Sequence, residues 1–170
     1  MTVVRWCTGL ELRRIPVDAD PRWIGDETFV RVAGKTMYEF RVVDWRGRTL
    51  SRVLSPRRRE TEAEMVLSEA SKRYGKPEVF MHDGNRVYHR ALRNLDLDWR
   101  EGVVVHRREW VAEDGSTTNP LEGEWSHFRC WCGVHRGFKR WANAQHYHEQ
   151  YVRARNHPEK TLIQLLIPDK

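Results

Sequence analysis

Asp26, Asp83 and Glu122 are the residues of this 170-residue chain whose type and setting suit chemistry at phosphorus. Asp26 falls within a segment of strand-like alternation, Asp83 ends a short apolar run, and Glu122 sits at the start of an amphipathic stretch. Carboxylates are hard oxygen ligands of the kind Mg²⁺ takes together with substrate phosphates and waters. Two such ions activate an attacking oxygen and stabilise a leaving one in an in-line displacement. The chain has 24 Asp and Glu, so three acids by themselves are weak evidence. What matters is whether the surrounding elements bring them together.

Residues 25–34 alternate, with Asp26, Thr28, Val30 and Val32 on one face and Phe29 and Arg31, with Glu27, on the other. Gly34 and Lys35 then turn the chain into a second strand over 37–45, where Tyr38, Phe40 and Val42 alternate with Glu39, Arg41 and Val43. A turn at 45–48 leads to a third strand over 49–55, completing an antiparallel meander that Pro56 stops. Thr61 with Glu64 reads as a capping box, and Ala63, Val66, Leu67, Ala70 and Tyr74 form one helical stripe closed by Gly75 and Pro77. Residues 79–83 read as a buried strand ending at Asp83-Gly84-Asn85, residues 87–95 as a short helix, and 102–110 as a fifth strand. After the polar loop 113–118, Thr118 or Asn119 caps a helix with Pro120 in its first turn. On that helix Leu121, Trp125, Phe128 and Cys132 share one face and Asn119, Glu122, Ser126 and Arg129 another. A last helix over 141–156 carries Trp141, Ala144, His148, Tyr151 and Val152 as its apolar stripe. The element order predicts an α/β fold in which the meander plus two further strands make a mixed five-stranded sheet flanked by helices, an order that matches the ribonuclease H-like architecture.

Composition narrows the setting. Thirty Lys and Arg against 24 acids give a net charge of +6, and there are eight Trp, a balance suited to a polyanionic partner. No apolar run reaches membrane-spanning length, and the first ten residues lack a secretory signal. Cys7, Cys130 and Cys132 are too few for a disulfide framework. These features point to a soluble, cytoplasmic protein. One domain over 25–157 is expected, with 1–24 as a linker or remnant and 158–170 as a tail.

The words around the acids carry a resemblance. Asp26-Glu27-Thr28, then the run from Val30 to Gly34-Lys35 and a Tyr-containing strand to Asp44, form the first block. Pro77 through His82-Asp83-Gly84-Asn85, with Tyr88, forms the second. Asn119-Pro120-Leu121-Glu122, Trp125-Ser126, Arg129, Arg136-Gly137, Tyr151, Arg153 and Asn156 form the third. In this order and spacing the chain resembles the DDE transposases of bacterial and archaeal insertion sequences, relatives of the retroviral integrases, from about residue 18 to 156. The resemblance implies a catalytic domain that cuts DNA at transposon ends and joins the 3′-hydroxyl to target DNA, with two Mg²⁺ or Mn²⁺ ions. By the same likeness Asp26, Asp83 and Glu122 are the catalytic and metal-binding triad, the protein is a homo-oligomer, and its partners are the transposon ends and the target. Two features depart from the family. Members usually carry an amino-terminal helix-turn-helix or zinc-binding module, and His82 stands where a small polar residue is more common.

DNA-contact candidates are Asn119, Ser126 and Arg129 beside Glu122, then Arg136, Lys139 and Arg140 between the last helices, and Arg57 and Arg58 after the meander. Arg153 and Arg155 rank below them, and Glu27 and Glu124 rank below the triad. The Cys130, Cys132 and His135 cluster lacks a fourth zinc ligand, and His146 and His148 point to different helix faces. Trp125 and Trp141 read as core. Two other readings remain open: a truncated or repurposed DNA-binding module without catalysis, and a metal-dependent nuclease of the same fold.

Overall fold

The computed structural model describes residues 17–104, 117–134 and 138–159. Five strands form one sheet: β1 (Arg22–Val32), β2 (Lys35–Asp44), β3 (Thr49–Ser55), β4 (Val79–His82) and β5 (Glu101–Val103), in the order β3-β2-β1-β4-β5. The first three are antiparallel, while β4 pairs parallel to both β1 and β5. Four helices are described: α1 (Glu60–Tyr74), α2 (Arg86–Asn94), α3 (Asn119–Val134) and α4 (Trp141–Asn156). This is the mixed, ribonuclease H-like sheet that the element order predicts. The chain between β1 and its parallel neighbour β4 includes α1, as a crossover requires.

Strand alternation divides the interior into two cores. Trp23, Phe40, Val42 and Phe80 meet the stripes of α1 and α2 on one face. Ile24, Val43, Leu54 and Met81 meet Leu121, Trp125 and Phe128 of α3 and Ala144, Tyr151 and Val152 of α4 on the other. Val66 and Leu67 are fully buried, each contributing on the order of 1.5–3 kcal/mol of apolar transfer.

Several local details differ from the expectations. β1 begins at Arg22 because Trp23 and Ile24 bury in opposite cores, so the sheet takes in residues expected to lie in the 1–24 linker. The β1–β2 turn is Ala33-Gly34, with φ of 51° and 75°, and not Gly34-Lys35. Two consecutive left-handed residues match the twist of a tight hairpin. At the start of α1 it is Glu62 and not Glu64 that reaches back: its carboxylate accepts the Arg59 N–H at 3.2 Å and the Ser55 hydroxyl at 2.9 Å. β5 ends at Val103, the N–H of the buried Val104 still bonds the His82 carbonyl at 3.0 Å, and 105–110 of the expected strand lie outside the described residues. Trp141, expected in the α4 stripe, is exposed, whereas Arg153 is buried in its place.

The largest departure lies on β2. Glu39 and Arg41 are fully buried because α3 and α4 cover the face they occupy. Glu39 receives Arg41 at 3.3 Å, Arg52 at 3.5 Å and His148 Nδ1 at 2.9 Å. The Arg41 guanidinium lies over the rings of Phe128, Trp125 and Tyr151. Although burial pushes the Glu39 carboxyl up, the charges of Arg52, His148 and Arg41 hold it far below the usual carboxylate range. Burial keeps the His148 imidazole below its ordinary value, and its Nε2 has no partner, as suits a neutral ring.

Candidate active site

β1 and β4 bring the two aspartates together. Their parallel register pairs Arg22 with Val79, Trp23 with Phe80 and Ile24 with Met81. The pairing ends two residues short of Asp26 and Asp83, and Asp83 lies close enough for its charge to act on the Asp26 carboxyl. Alternation aims the Asp26 side chain at the α3–α4 face, where Ile24 lies in the core and Trp125 meets it. Glycine is required at position 25 because a Cβ there would overlap the Phe80 ring and press on Tyr88. The turn after β4 is fixed by the aspartate itself, for Asp83 Oδ1 accepts the Asn85 N–H at 2.9 Å. The Asn85 side chain then caps α2 by accepting the Val87 N–H.

Asp26 is unusual electrostatically. Burial, with the negative charges of Glu27 and Asp83, raises its carboxyl to about 7. The Trp125 indole Nε1 donates to its Oδ2 at 2.9 Å, a stabilising contact too weak to reverse that shift. Among the described residues neither Asp26 nor Asp83 has an ion-pair partner. Glu27 faces the other side of the sheet, where its Oε1 accepts Asn85 Nδ2 at 2.8 Å and Arg58 Nε at 2.7 Å.

Glu122 lies half-buried in the first turn of α3, its N–H bonded to the Thr118 carbonyl. It is one helical turn before Trp125, the residue that touches Asp26. Asp26, Asp83 and Glu122 nevertheless do not bring three ligand atoms within 4.8 Å of one another. Among the described residues the group that does is His82, His89 and Glu101.

Asn119, Ser126 and Arg129 are exposed along the α3 face that Glu122 begins, and Lys139 and Arg140 are exposed just before α4. Arg136 and His135 lie outside the described residues. Arg57 and Arg58 are exposed between β3 and α1, with Arg58 paired to Glu27. Glu124 is occupied structurally, since Tyr151 Oη donates to it at 2.7 Å and Arg155 at 2.8 Å. Arg155 is thereby tied into the fold, and the buried Arg153 lies 3.7 Å from Glu149. His82 is fully buried against Phe80 and Tyr88. Trp125 was legible as core but its link to Asp26 was not. The three-residue spacing from Glu122 was the available signal. Asn85 and Glu27 gave none, because their partners are distant in sequence.

Residues 20–160 match the family described as a DDE domain. An uncharacterized protein of Yersinia pseudotuberculosis serotype I (strain IP32953) is 32% identical over 81 residues, which are 46% of this chain and 76% of that protein. Among solved structures, a chain of the simian T-cell lymphotropic virus intasome in complex with PP2A regulatory subunit B56 gamma aligns with a TM-score of 0.55 at 16% identity. The alignment covers 95% of this chain and 59% of that one, so the likeness is one of fold over little more than half the neighbour's length. The HTLV-2 integrase catalytic core domain in complex with magnesium aligns at a TM-score of 0.43 and 16% identity, over 55% of this chain and 67% of that one.

Proposed function

From the membership of this chain in the DDE-domain family of transposases, we propose that it is a transposase catalytic domain that cuts DNA at the ends of a mobile element and joins the freed 3′-hydroxyl to target DNA. The observation that supports this reading is the nearness of Asp26 to the Asp83 charge, with neither carboxylate forming an ion pair among the described residues and Arg58 the cation whose charge also reaches Asp83. Two neighbouring carboxylates, one of them raised to about 7, fit a divalent cation in charge and in ligand type. Asp26 and Asp83 would hold two Mg²⁺ or Mn²⁺ ions, with Glu122 completing one ion's shell. When bound, such ions stabilise the charge that develops on the oxygens around phosphorus.

The protein's own groups position the reaction. Trp125 fixes the Asp26 carboxylate through its indole N–H. Asn85 holds the turn that presents Asp83. The exposed face of Asn119, Ser126 and Arg129 offers hydrogen bonds to DNA phosphates beside Glu122, with Lys139, Arg140, Arg136, Arg57 and Arg58 as further contacts. In cleavage a water oxygen bonds to phosphorus and the DNA 3′-oxygen leaves, taking up a proton. In joining, that 3′-hydroxyl loses its proton as it bonds to a target phosphorus and displaces the target's own 3′-oxygen. Paired DNA ends imply a homo-oligomer. None of the described helices is long and apolar enough to cross a membrane, and a DNA substrate points to the cytoplasm and the nucleoid.

A second reading, a DNA-binding module without catalysis, is favoured by one observation, the separation of Glu122 from a three-ligand group. Calorimetry with Mg²⁺ or Mn²⁺ and a nicking assay on labelled DNA, run on the wild type and Asp26→Asn, test both. Metal binding and nicking that vanish together in the variant support the enzyme. Salt-sensitive DNA binding with neither metal uptake nor cutting in the wild type would leave the binding module.

A further inference from the structure

α2 starts three residues after Asp83 and carries Arg86, Arg90 and Arg93 at i, i+4 and i+7, all exposed on one face. With His89 and Glu101 they line a cleft of about 450 Å³ on the side of the sheet opposite α3. Among the described residues Arg86 and Arg90 have no hydrogen-bond or ion-pair partner, and Arg93 bonds only the His89 carbonyl. Three unneutralised guanidinium groups in one cleft are matched by a single carboxylate, and that carboxylate is already engaged. Glu101 Oε2 lies 2.5 Å from His89 Nδ1 and 3.2 Å from His82 Nε2.

By ligand count the two histidines and Glu101 suit a divalent cation, but their chemistry does not. The buried His82 ring accepts the Gly84 N–H at Nδ1, at 3.2 Å, so its proton sits on Nε2 and is donated to Glu101. That nitrogen has no lone pair to offer a metal, and the arginines repel a cation. The cleft is built for an anion.

We propose that the Arg86, Arg90 and Arg93 face of α2 binds the phosphate backbone of duplex DNA, along a path leading away from Asp83. This rests on the DNA-cutting reading of the neighbouring carboxylates. Seven residues of helix rise about 10.5 Å, the axial length of about three phosphates on one strand. Guanidinium groups contact phosphates without reading bases, so the contribution is affinity and direction, not sequence choice.

The test is the salt dependence of binding to a duplex of about 40 base pairs. It compares the wild type, the Arg86→Gln/Arg90→Gln/Arg93→Gln variant, and Lys72→Gln/Lys76→Gln as a charge-loss control at the exposed C-terminal end of α1 and the turn after it. The slope of log affinity against log salt is expected to fall by about two to three in the arginine variant, with affinity at low salt down on the order of 10- to 100-fold for any sequence. Circular dichroism is expected to show the fold intact in both variants, since all the substituted positions are exposed. A slope and affinity equal to the lysine control would overturn the proposal, as would stoichiometric Zn²⁺ uptake that His89→Ala abolishes. Failure of the catalytic reading is separable, since it appears as nicking unchanged in Asp26→Asn whatever the salt slope does.

Discussion

The Trp125 indole donates a 2.9 Å hydrogen bond to the Asp26 carboxylate, joining the second turn of α3 to β1 across 99 residues of sequence. The same ring packs on Phe128 and under the Arg41 guanidinium, so the donor is held by its surroundings and not free to swing. Trp125 thus sets both the direction of one proposed metal ligand and the height at which the Glu122 turn sits over the sheet.

Trp125→Phe keeps most of the ring and removes the donor. A hydrogen bond to a charged group contributes about 1.5–3 kcal/mol, so nicking should fall roughly 10- to 100-fold. The melting temperature should drop by only a few degrees. Steady-state kinetics beside a thermal melt separate the effects, and an unchanged rate would mean Asp26 needs no such restraint.

Gly25→Ala should destabilise the protein by about 1–3 kcal/mol, because the new methyl overlaps Phe80 and crowds Tyr88 beneath β1. Urea unfolding measures the loss. The strand carries Asp26 at the next position, so residual folded protein should also nick poorly. Wild-type stability would show that the Phe80 ring has room to move.

The two glutamates of α3 should respond oppositely to substitution. Glu124→Gln weakens the links to Arg155 and Tyr151 and should lower stability while leaving Mg²⁺ affinity intact. Glu122→Gln should leave stability nearly unchanged and weaken Mg²⁺ binding. Calorimetry on both variants decides the matter, and equal metal affinities would remove Glu122 from the proposed triad.

Acid should unfold the protein in two stages. His148 is held below its ordinary 6.5 in the fold, so below that pH the unfolded chain takes up the proton first and stability begins to fall. Glu39 is held below its ordinary 4.5, so the stability it contributes is present above pH 4.5 and is lost as pH falls further. Each stage has a limiting slope of about 1.4 kcal/mol per pH unit. Asp26, raised to about 7, works against the first stage because the folded chain holds its proton. Urea midpoints between pH 8 and 3.5 are therefore measured in Asp26→Asn, where a flat profile from 7 to 5 would mean the buried histidines are charged in the fold.

Much of this was legible along the chain. Period-two alternation gave β1 to β3, and the stripe of Ala63, Val66, Leu67 and Ala70 gave α1, because local periodicity survives into the fold wherever one face is buried. The words around Asp26, Asp83 and Glu122 pointed to the family that residues 20–160 match. The buried charges on β2 were not legible. Glu39 and Arg41 occupy positions that read as solvent-facing until a second layer of helices covers them, and their partners Arg52 and His148 come from β3 and α4.

The sequence by itself determined the order of elements, the basic balance and the three acidic words, since each depends on residues close together in the chain. Only the tertiary structure decided that Asp26 comes within reach of the Asp83 charge, that Glu27 turns to Arg58 and Asn85, and that Trp125 closes on Asp26. Those relations follow from strand register and from packing between distant segments. Side chains of the same type and spacing make different partners once a neighbouring strand slips by one residue or a helix covers a face.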